Sequence, residues 1–130
     1  MHNKTHTTTA PFKRIWNAMI FSFNGIKATF ETEAAFRQDL IVFAINCVLL
    51  FLVHDRYFML WLFFCGIFLL FAELVNTGIE CVVDYISHDI HPLAKKAKDI
   101  GSALVFLALF NLLVSWGVYL YPFVMKWLHL

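Results

Sequence analysis

The stretch Glu73-Leu-Val-Asn-Thr-Gly-Ile-Glu-Cys-Val-Val-Asp84 decides how this chain folds. It continues an apolar run, Tyr57 to Ala72, whose composition is typical of a membrane helix. Four polar side chains in this stretch form what we call the polar stripe: Glu73, Asn76, Glu80 and Asp84. At about 100° per residue they fall on one helix face, within roughly 80° of each other. Because charges inside a membrane are costly, we expect the polar stripe to face the interior of a helix bundle and to carry function.

Helix rise predicts where the polar stripe meets the bilayer. Glu73 follows Tyr57 by 16 residues, or about 24 Å along a helix axis. The hydrocarbon core of a bilayer is about 30 Å thick. We therefore expect Glu73 near one edge of the core, with Glu80 and Asp84 just beyond it.

The composition of the whole chain agrees with a membrane protein. Of its 130 residues, 61% are hydrophobic and 15% are charged, whereas a soluble domain has about 45–50% apolar and about 25% charged residues. The net charge of +1 argues against a nucleic-acid partner. The three cysteines lie in apolar runs without a CxxC motif, so they predict neither a disulfide framework nor a zinc site. A short chain with several apolar spans has little surface to bury alone, and we expect it to oligomerise.

The sequence predicts an all-α membrane protein. Residues 1–10 are polar and predict a disordered tail without a cleavable signal peptide. Residues of about 11–33 predict a helix with aromatic side chains on one face and basic side chains on the other. Such a helix suits the membrane interface, and an ordinary amphipathic helix packed on protein is the alternative. Three transmembrane helices follow, at about 35–53, 57–85 and 100–121.

The connections and small residues add detail to this picture. The polar turn 54–56 is so short that the spans it joins must be antiparallel neighbours. The stretch 87–99 predicts a polar loop in which Pro92 can start a short helix. Pro122 is expected to end or kink the third span. Asn46 is expected to form a hydrogen bond between helices, and Gly66 to allow close helix packing.

The basic residues predict the orientation of the chain. Most Lys and Arg residues lie in the N-terminal segment and in the second loop. The positive-inside rule places both in the cytoplasm. The polar stripe then opens toward the compartment that holds nucleotides and magnesium.

Acidic and basic side chains converge at this predicted interface, although neither common phosphate-binding glycine motif is present. Carboxylates and lysines near a bilayer edge would suit phosphoryl transfer from a magnesium-bound nucleotide to a lipid hydroxyl. Two other classes stay open on this ground. A proton- or ion-conducting bundle predicts acids across the whole membrane depth, and a non-catalytic assembly module gives no reason for the acids to share one face. Asp84 alone can also be read as a helix cap or as the partner of a lysine.

Four segments resemble the signature segments of prokaryotic diacylglycerol kinase, a small integral-membrane lipid kinase. They are Glu33-Ala-Ala-Phe-Arg-Gln38, Glu73-Leu-Val-Asn-Thr-Gly-Ile-Glu80, Val82-Val-Asp84 and Ala97-Lys-Asp-Ile-Gly-Ser-Ala103. The resemblance extends from about Phe12 to Trp116. The first segment favours the branch that uses diacylglycerol, with the related undecaprenol kinase branch as the alternative.

The resemblance implies a homotrimer in the bacterial inner membrane, with active sites shared between subunits and with ATP and Mg²⁺ bound at the cytoplasmic edge. It implies that Glu73 is the general base and that Glu33 and Glu80 hold the metal. It implies further contacts with the nucleotide by Arg14, Phe21, Glu33, Asn76, Glu80, Asp89, Ile90, His91, Lys98 and Asp99. It implies contacts with the lipid by Ala35, Phe36, Arg37, Gln38, Asp39, Glu73, Ser102 and Trp116.

Several positions depart from the family pattern. Phe21 stands where a tyrosine near ATP is common, and Thr32 replaces an asparagine. Asp89 is one methylene shorter than the usual glutamate, while Pro92 and Lys95 change the second loop. We therefore expect the residue roles implied by the resemblance to be least accurate in this loop.

Overall fold

The computed structural model describes residues 11–86 and 91–128. The chain forms two compact units, one up to Thr32 and one from Glu33 onward. In the first, helix α1 comprises Pro11–Thr32, and Pro11 occupies its first position, where a missing N–H has no cost. Most of its aromatic and aliphatic side chains are exposed. Its predicted position in the membrane interface stays a prediction.

The second unit contains three long apolar helices. Helix α2 spans Ala34–Leu49 and continues into a short 3-10 turn, Leu50–Leu52. Helix α3 spans Arg56–Ile86, and helix α4 spans Pro92–Trp127. All three are long and apolar enough to cross a membrane. The three predicted apolar helices are therefore present, each long enough to cross a membrane.

Helix α4 is longer than the sequence predicted. It begins at Pro92 rather than near residue 100, and it continues through Pro122 to Trp127. The stretch 87–99 was predicted to be a loop because it is polar, but its lysines are good helix formers and Pro92 is suited to the first helical position. Pro122 removes one backbone hydrogen bond near the end of the helix, and the helix does not end there.

Helix α3 is the centre of the second unit, since both α2 and α4 pack against it. The buried cluster between α3 and α4 consists of Cys65, Leu69 and Ala72 from α3, with Ala108 and Leu112 from α4. Gly101, Ala108 and Ser115 are buried along α4 at seven-residue spacing. Small residues at this spacing let two membrane helices approach closely.

One amide on α2 forms hydrogen bonds to both α3 and α4. Asn46 Nδ2 donates to the carbonyl of Leu62 at 3.1 Å, and Trp116 Nε1 donates to Asn46 Oδ1 at 2.9 Å. A Cβ on Gly66 would lie 2.8 Å from Asn46 Nδ2 and 2.8 Å from the ring of Phe43. The predicted roles of Asn46 and Gly66 in helix packing are both confirmed.

Candidate functional site

Most acidic residues of the second unit lie toward one end of the three helices, which we call the carboxylate end: Glu33, Asp39, Glu73, Glu80, Asp84 and Asp99. Asp55, in the turn before α3, lies at the other end. Glu73, on α3, is only 4% exposed. The carboxylates close enough to act on it electrostatically are those of Asp39, Glu80 and Glu33. The helical spacing of the polar stripe and the start of α2 bring these groups together, which is what the sequence predicted for Glu33, Glu73 and Glu80.

Asn76 lies in the middle of the polar stripe and is 9% exposed. Its Nδ2 donates to Glu80 Oε1 at 3.1 Å. Its Oδ1 is buried and has no hydrogen-bond partner in the part of the chain that the structure describes. The amide therefore orients one of the two predicted metal-binding carboxylates.

Two lysines near the start of α4 pair with acids. Lys98 Nζ lies 2.6 Å from Asp84 Oδ1, and Lys95 Nζ lies 2.6 Å from Asp99 Oδ2. The reading of Asp84 as the partner of a lysine is confirmed. Lys98 and Asp99, both expected at the nucleotide, thus each pair with a side chain of the protein.

The start of α2 contributes a further acid. Glu33 is the N-cap residue of α2, and its side chain makes no capping hydrogen bond. Asp39 Oδ2 is shielded from solvent and lacks a hydrogen-bond partner among the described residues. Between them, Phe36 is buried, whereas Ala35 and Gln38 are exposed.

The carboxylate end fits a divalent cation that also binds phosphate. Mg²⁺ typically takes one or two protein carboxylates and completes its shell with phosphate oxygens and water. Glu33 and Glu80 offer two carboxylates near Glu73. Within residues 11–86 and 91–128, no group of three or more His, Cys, Asp or Glu side chains could hold a metal by itself. A cation here would therefore depend on ligands from the nucleotide.

Other predicted site residues lie elsewhere or outside the described ranges. Arg14 and Phe21 are exposed residues of α1, in the first unit. Asp89 and Ile90 lie outside the described residues. Trp116 is toward the opposite end of the helices, where it bonds Asn46, and Ser102 is exposed on α4.

Two contacts near the site were not predicted. His91 caps α4, since its Nδ1 accepts a hydrogen bond from the backbone N–H of Leu93 at 3.2 Å. Gly101 lies against the amide of Asn76. The small residues at the start of the third span indicated a close approach of another helix, but no local pattern names the residue that approaches.

Comparison with known proteins identifies the family. A family model for prokaryotic diacylglycerol kinase matches residues 20–120. The diacylglycerol kinase of Helicobacter pylori (strain ATCC 700392 / 26695) is 38% identical over 117 residues, which cover 88% of this chain and 91% of that protein. The diacylglycerol kinase of Pseudomonas aeruginosa is 40% identical over 112 residues, or 83% and 89% of the two chains. That of Escherichia coli (strain K12) is 34% identical over 117 residues, or 87% and 93%. The chain therefore belongs to the prokaryotic diacylglycerol kinase family.

Proposed function

We propose that this lipid kinase transfers the γ-phosphoryl group of ATP to the primary hydroxyl of diacylglycerol and forms phosphatidic acid. The observation that carries the proposal is the buried carboxylate of Glu73, on a membrane-spanning helix and close to Asp39, Glu80 and Glu33. A buried acid on such a helix, toward the carboxylate end, can meet a hydroxyl at the head of a lipid. The relatives named diacylglycerol kinase support the same substrate.

The reaction is a direct in-line transfer. The lipid hydroxyl oxygen attacks the γ-phosphorus, the bond from that phosphorus to the bridging oxygen of ADP breaks, and Glu73 accepts the hydroxyl proton. Glu33 and Glu80 hold Mg²⁺, which offsets the charge of the phosphates when it is bound. Lys98 exchanges Asp84 for a phosphate oxygen, since a lysine is a mobile cation on a flexible stem.

The remaining site residues keep the roles that the resemblance implies. The proposed nucleotide contacts are Arg14, Phe21, Asn76, Asp89, Ile90, His91, Lys98 and Asp99. The proposed lipid contacts are Ala35, Phe36, Arg37, Gln38, Asp39, Ser102 and Trp116. The reaction takes place at the cytoplasmic face of the bacterial inner membrane, in contact with membrane lipids, with the N-terminus and the second loop in the cytoplasm.

The working form is a homotrimer with active sites shared between subunits. Many large apolar side chains of α3 and α4 are exposed in the single chain. Between these helices lies a groove of about 470 Å³, lined mainly by aromatic residues of α3 together with Asn111 of α4. Lipid and neighbouring subunits are the two apolar surroundings that such a surface can meet in a membrane.

One assay separates this proposal from its rivals. Purified protein in mixed micelles is given labelled ATP and Mg²⁺ with either diacylglycerol or undecaprenol, and the labelled lipid is measured. Transfer mainly to diacylglycerol supports the proposal. Transfer mainly to undecaprenol would instead assign the chain to the undecaprenol kinase branch of the family. Absence of transfer to any lipid alcohol would exclude the kinase reaction and leave the ion-conducting bundle. Against that bundle, the acids that interact with Glu73 lie at one end of the helices rather than along their length.

A further inference from the structure

Helix α4 passes closest to the polar stripe at Gly101. This residue is buried, and a Cβ built on it would overlap Asn76 Oδ1. The same Cβ would lie 3.3 Å from Asn76 Cγ and 3.5 Å from Asn76 Cα. The overlap is therefore with the oxygen of one side-chain amide, while the approach to the α3 backbone is an ordinary van der Waals distance.

The distances from this Cβ to side-chain and to backbone atoms distinguish two possible reasons for a glycine at position 101: close packing of the helix backbones, or space for the Asn76 amide. If the backbones of α3 and α4 required it, a Cβ would meet backbone atoms at forbidden distances. The backbone distance of 3.5 Å shows that an alanine is compatible with the spacing of the two helices. An alanine is incompatible with the present position of the Asn76 side chain, because its Cβ would overlap Oδ1 and lie at a tight 3.3 Å from Cγ.

The present orientation of the Asn76 amide allows a hydrogen bond to Glu80. Asn76 Nδ2 donates to Glu80 Oε1 at 3.1 Å, and the opposite amide orientation would place two oxygens against each other. The Nδ2 group can face Glu80 only if Oδ1 has room on the other side, and Gly101 leaves that room. The hydrogen bond uses Oε1, so Oε2 is the Glu80 oxygen that we assign to the cation.

We propose that Gly101 is a positioning residue for the metal-binding carboxylate of Glu80. It acts through Asn76, whose amide fits between the bare backbone of α4 and Glu80. This inference rests on the proposed function, in which Glu80 holds Mg²⁺. An alanine at position 101 displaces the Asn76 side chain, breaks its hydrogen bond to Glu80 and releases the carboxylate from its orientation. Loss of a residue that orients a metal ligand lowers metal affinity about 10–100-fold.

The test compares Gly101→Ala with Gly117→Ala in the full chain. Gly117 lies on the same helix, and a Cβ there meets nothing within 4 Å. Mn²⁺ serves as the probe, and its binding in the presence of a non-hydrolysable ATP analogue is measured by electron paramagnetic resonance. We expect Gly101→Ala to weaken Mn²⁺ binding at least about tenfold and to raise the Mg²⁺ concentration for half-maximal activity, with the KM for diacylglycerol unchanged. Gly117→Ala should match the wild type in all three.

A second pair of variants keeps the proposal testable if Gly101→Ala folds poorly. Asn76→Ala removes the amide and should weaken Mn²⁺ binding to a similar degree. Adding Gly101→Ala to Asn76→Ala should then change nothing further, because no amide is left to displace. Additional loss of Mn²⁺ affinity or of thermal stability in the double variant would show that Gly101 serves helix packing and would overturn the proposal.

The outcomes for the two proposals differ. If the wild type phosphorylates diacylglycerol and Asn76→Ala binds Mn²⁺ as tightly as the wild type, the role of Gly101 is wrong and the kinase function stands. If the wild type phosphorylates no lipid alcohol, the proposed function is wrong, and the Mn²⁺ measurements still decide whether Gly101 positions Glu80.

Discussion

The polar side chains at the two ends of the three membrane helices differ in how completely they are hydrogen-bonded. The other end, which we call the aromatic end, contains Asn46, Trp61, Asn111, Ser115 and Trp116. There Trp61 Nε1 donates to Ser115 Oγ at 2.9 Å, and Asn111 Nδ2 contacts Cys65 Sγ at 3.2 Å. Both polar atoms of Asn46 are also used, by Leu62 and Trp116.

At the carboxylate end, the hydrogen bonding of buried polar side chains is less complete. Among the described residues, the buried side-chain atoms without a hydrogen-bond partner are Asp39 Oδ2 and Asn76 Oδ1, and both lie there. A bilayer offers no water to satisfy such groups, so a membrane protein bonds them internally or reserves them for a ligand. The difference separates polar residues that hold the helices together from those at the proposed catalytic site, and each prediction below tests this division.

The largest effect is expected for Glu73→Gln. The substitution keeps the size of the side chain and removes the proton acceptor, so kcat should fall about 10²–10⁴-fold. Thermal stability should stay level or rise, because the variant no longer buries a carboxylate. Steady-state transfer of labelled phosphate and thermal unfolding in micelles measure the two quantities. Glu31→Gln, on the exposed face of α1, is the matched control and should keep kcat, and near-normal turnover of Glu73→Gln would refute the assignment of the base.

The next effect falls on stability rather than on turnover. Gly66→Ala places a Cβ against the ring of Phe43 and Asn46 Nδ2, and such overpacking costs about 1–3 kcal/mol of unfolding free energy. The kcat of the folded fraction should stay unchanged, since Gly66 lies away from the carboxylate end. Unfolding in mixed micelles measures the cost, and Gly78→Ala is the control, because a Cβ there meets nothing within 4 Å. A normal unfolding free energy with reduced kcat would contradict the division between the two ends.

A smaller effect is expected for Trp116→Phe, which keeps an aromatic ring and removes the N–H that bonds Asn46 Oδ1. Hydrogen bonds between membrane helices contribute about 0.6 kcal/mol on average and at most about 1.7 kcal/mol. The loss of unfolding free energy should fall in this range, and it should shrink in an Asn46→Leu background. Trp127→Phe, at the exposed end of α4, is the control. Independent effects of the Trp116 and Asn46 changes would show that their hydrogen bond contributes nothing.

The helices of this structure could be predicted from the sequence more accurately than the contacts between them. The apolar runs predict α2 and α3 because uninterrupted hydrophobicity is a local property, and helical periodicity likewise brings Glu73 and Glu80 to one face. Pro92 was correctly predicted to start a helix, but the continuation of this helix into the third span was not predicted. Lys95 and its neighbours are polar, and polarity alone does not distinguish a loop from the exposed start of a long helix.

The contacts that were missed depend on the register between helices. Asn46 was predicted to bond another helix, but the sequence could not name Leu62 and Trp116 as its partners. The contact of Gly101 with Asn76 has the same origin. The relative shift of α3 along α4 results from the packing of many side chains together, and no short pattern encodes it.

The smallest effect is expected for Lys95→Ala, and it tests whether the lysines at the start of α4 belong to the carboxylate end. Lys95 and Asp99 pair on the surface with side chains 70% and 62% exposed, and such an i,i+4 pair contributes about 0.3–0.5 kcal/mol. Lys98 faces Asp84 and Glu80, so its charge lies closer to the proposed phosphate position.

The KM for MgATP distinguishes the two lysines. It should rise clearly in Lys98→Ala, whereas it should change little in Lys95→Ala, and added salt should abolish the stability effect of Lys95→Ala because exposed charges are screened. Steady-state kinetics at two ionic strengths measure both variants. An equal rise of KM in the two would mean that Lys95 also reaches the phosphates, so that its bond to Asp99 holds it ready for the nucleotide as the bond to Asp84 holds Lys98. The carboxylate end would then extend a full helical turn further toward the start of α4.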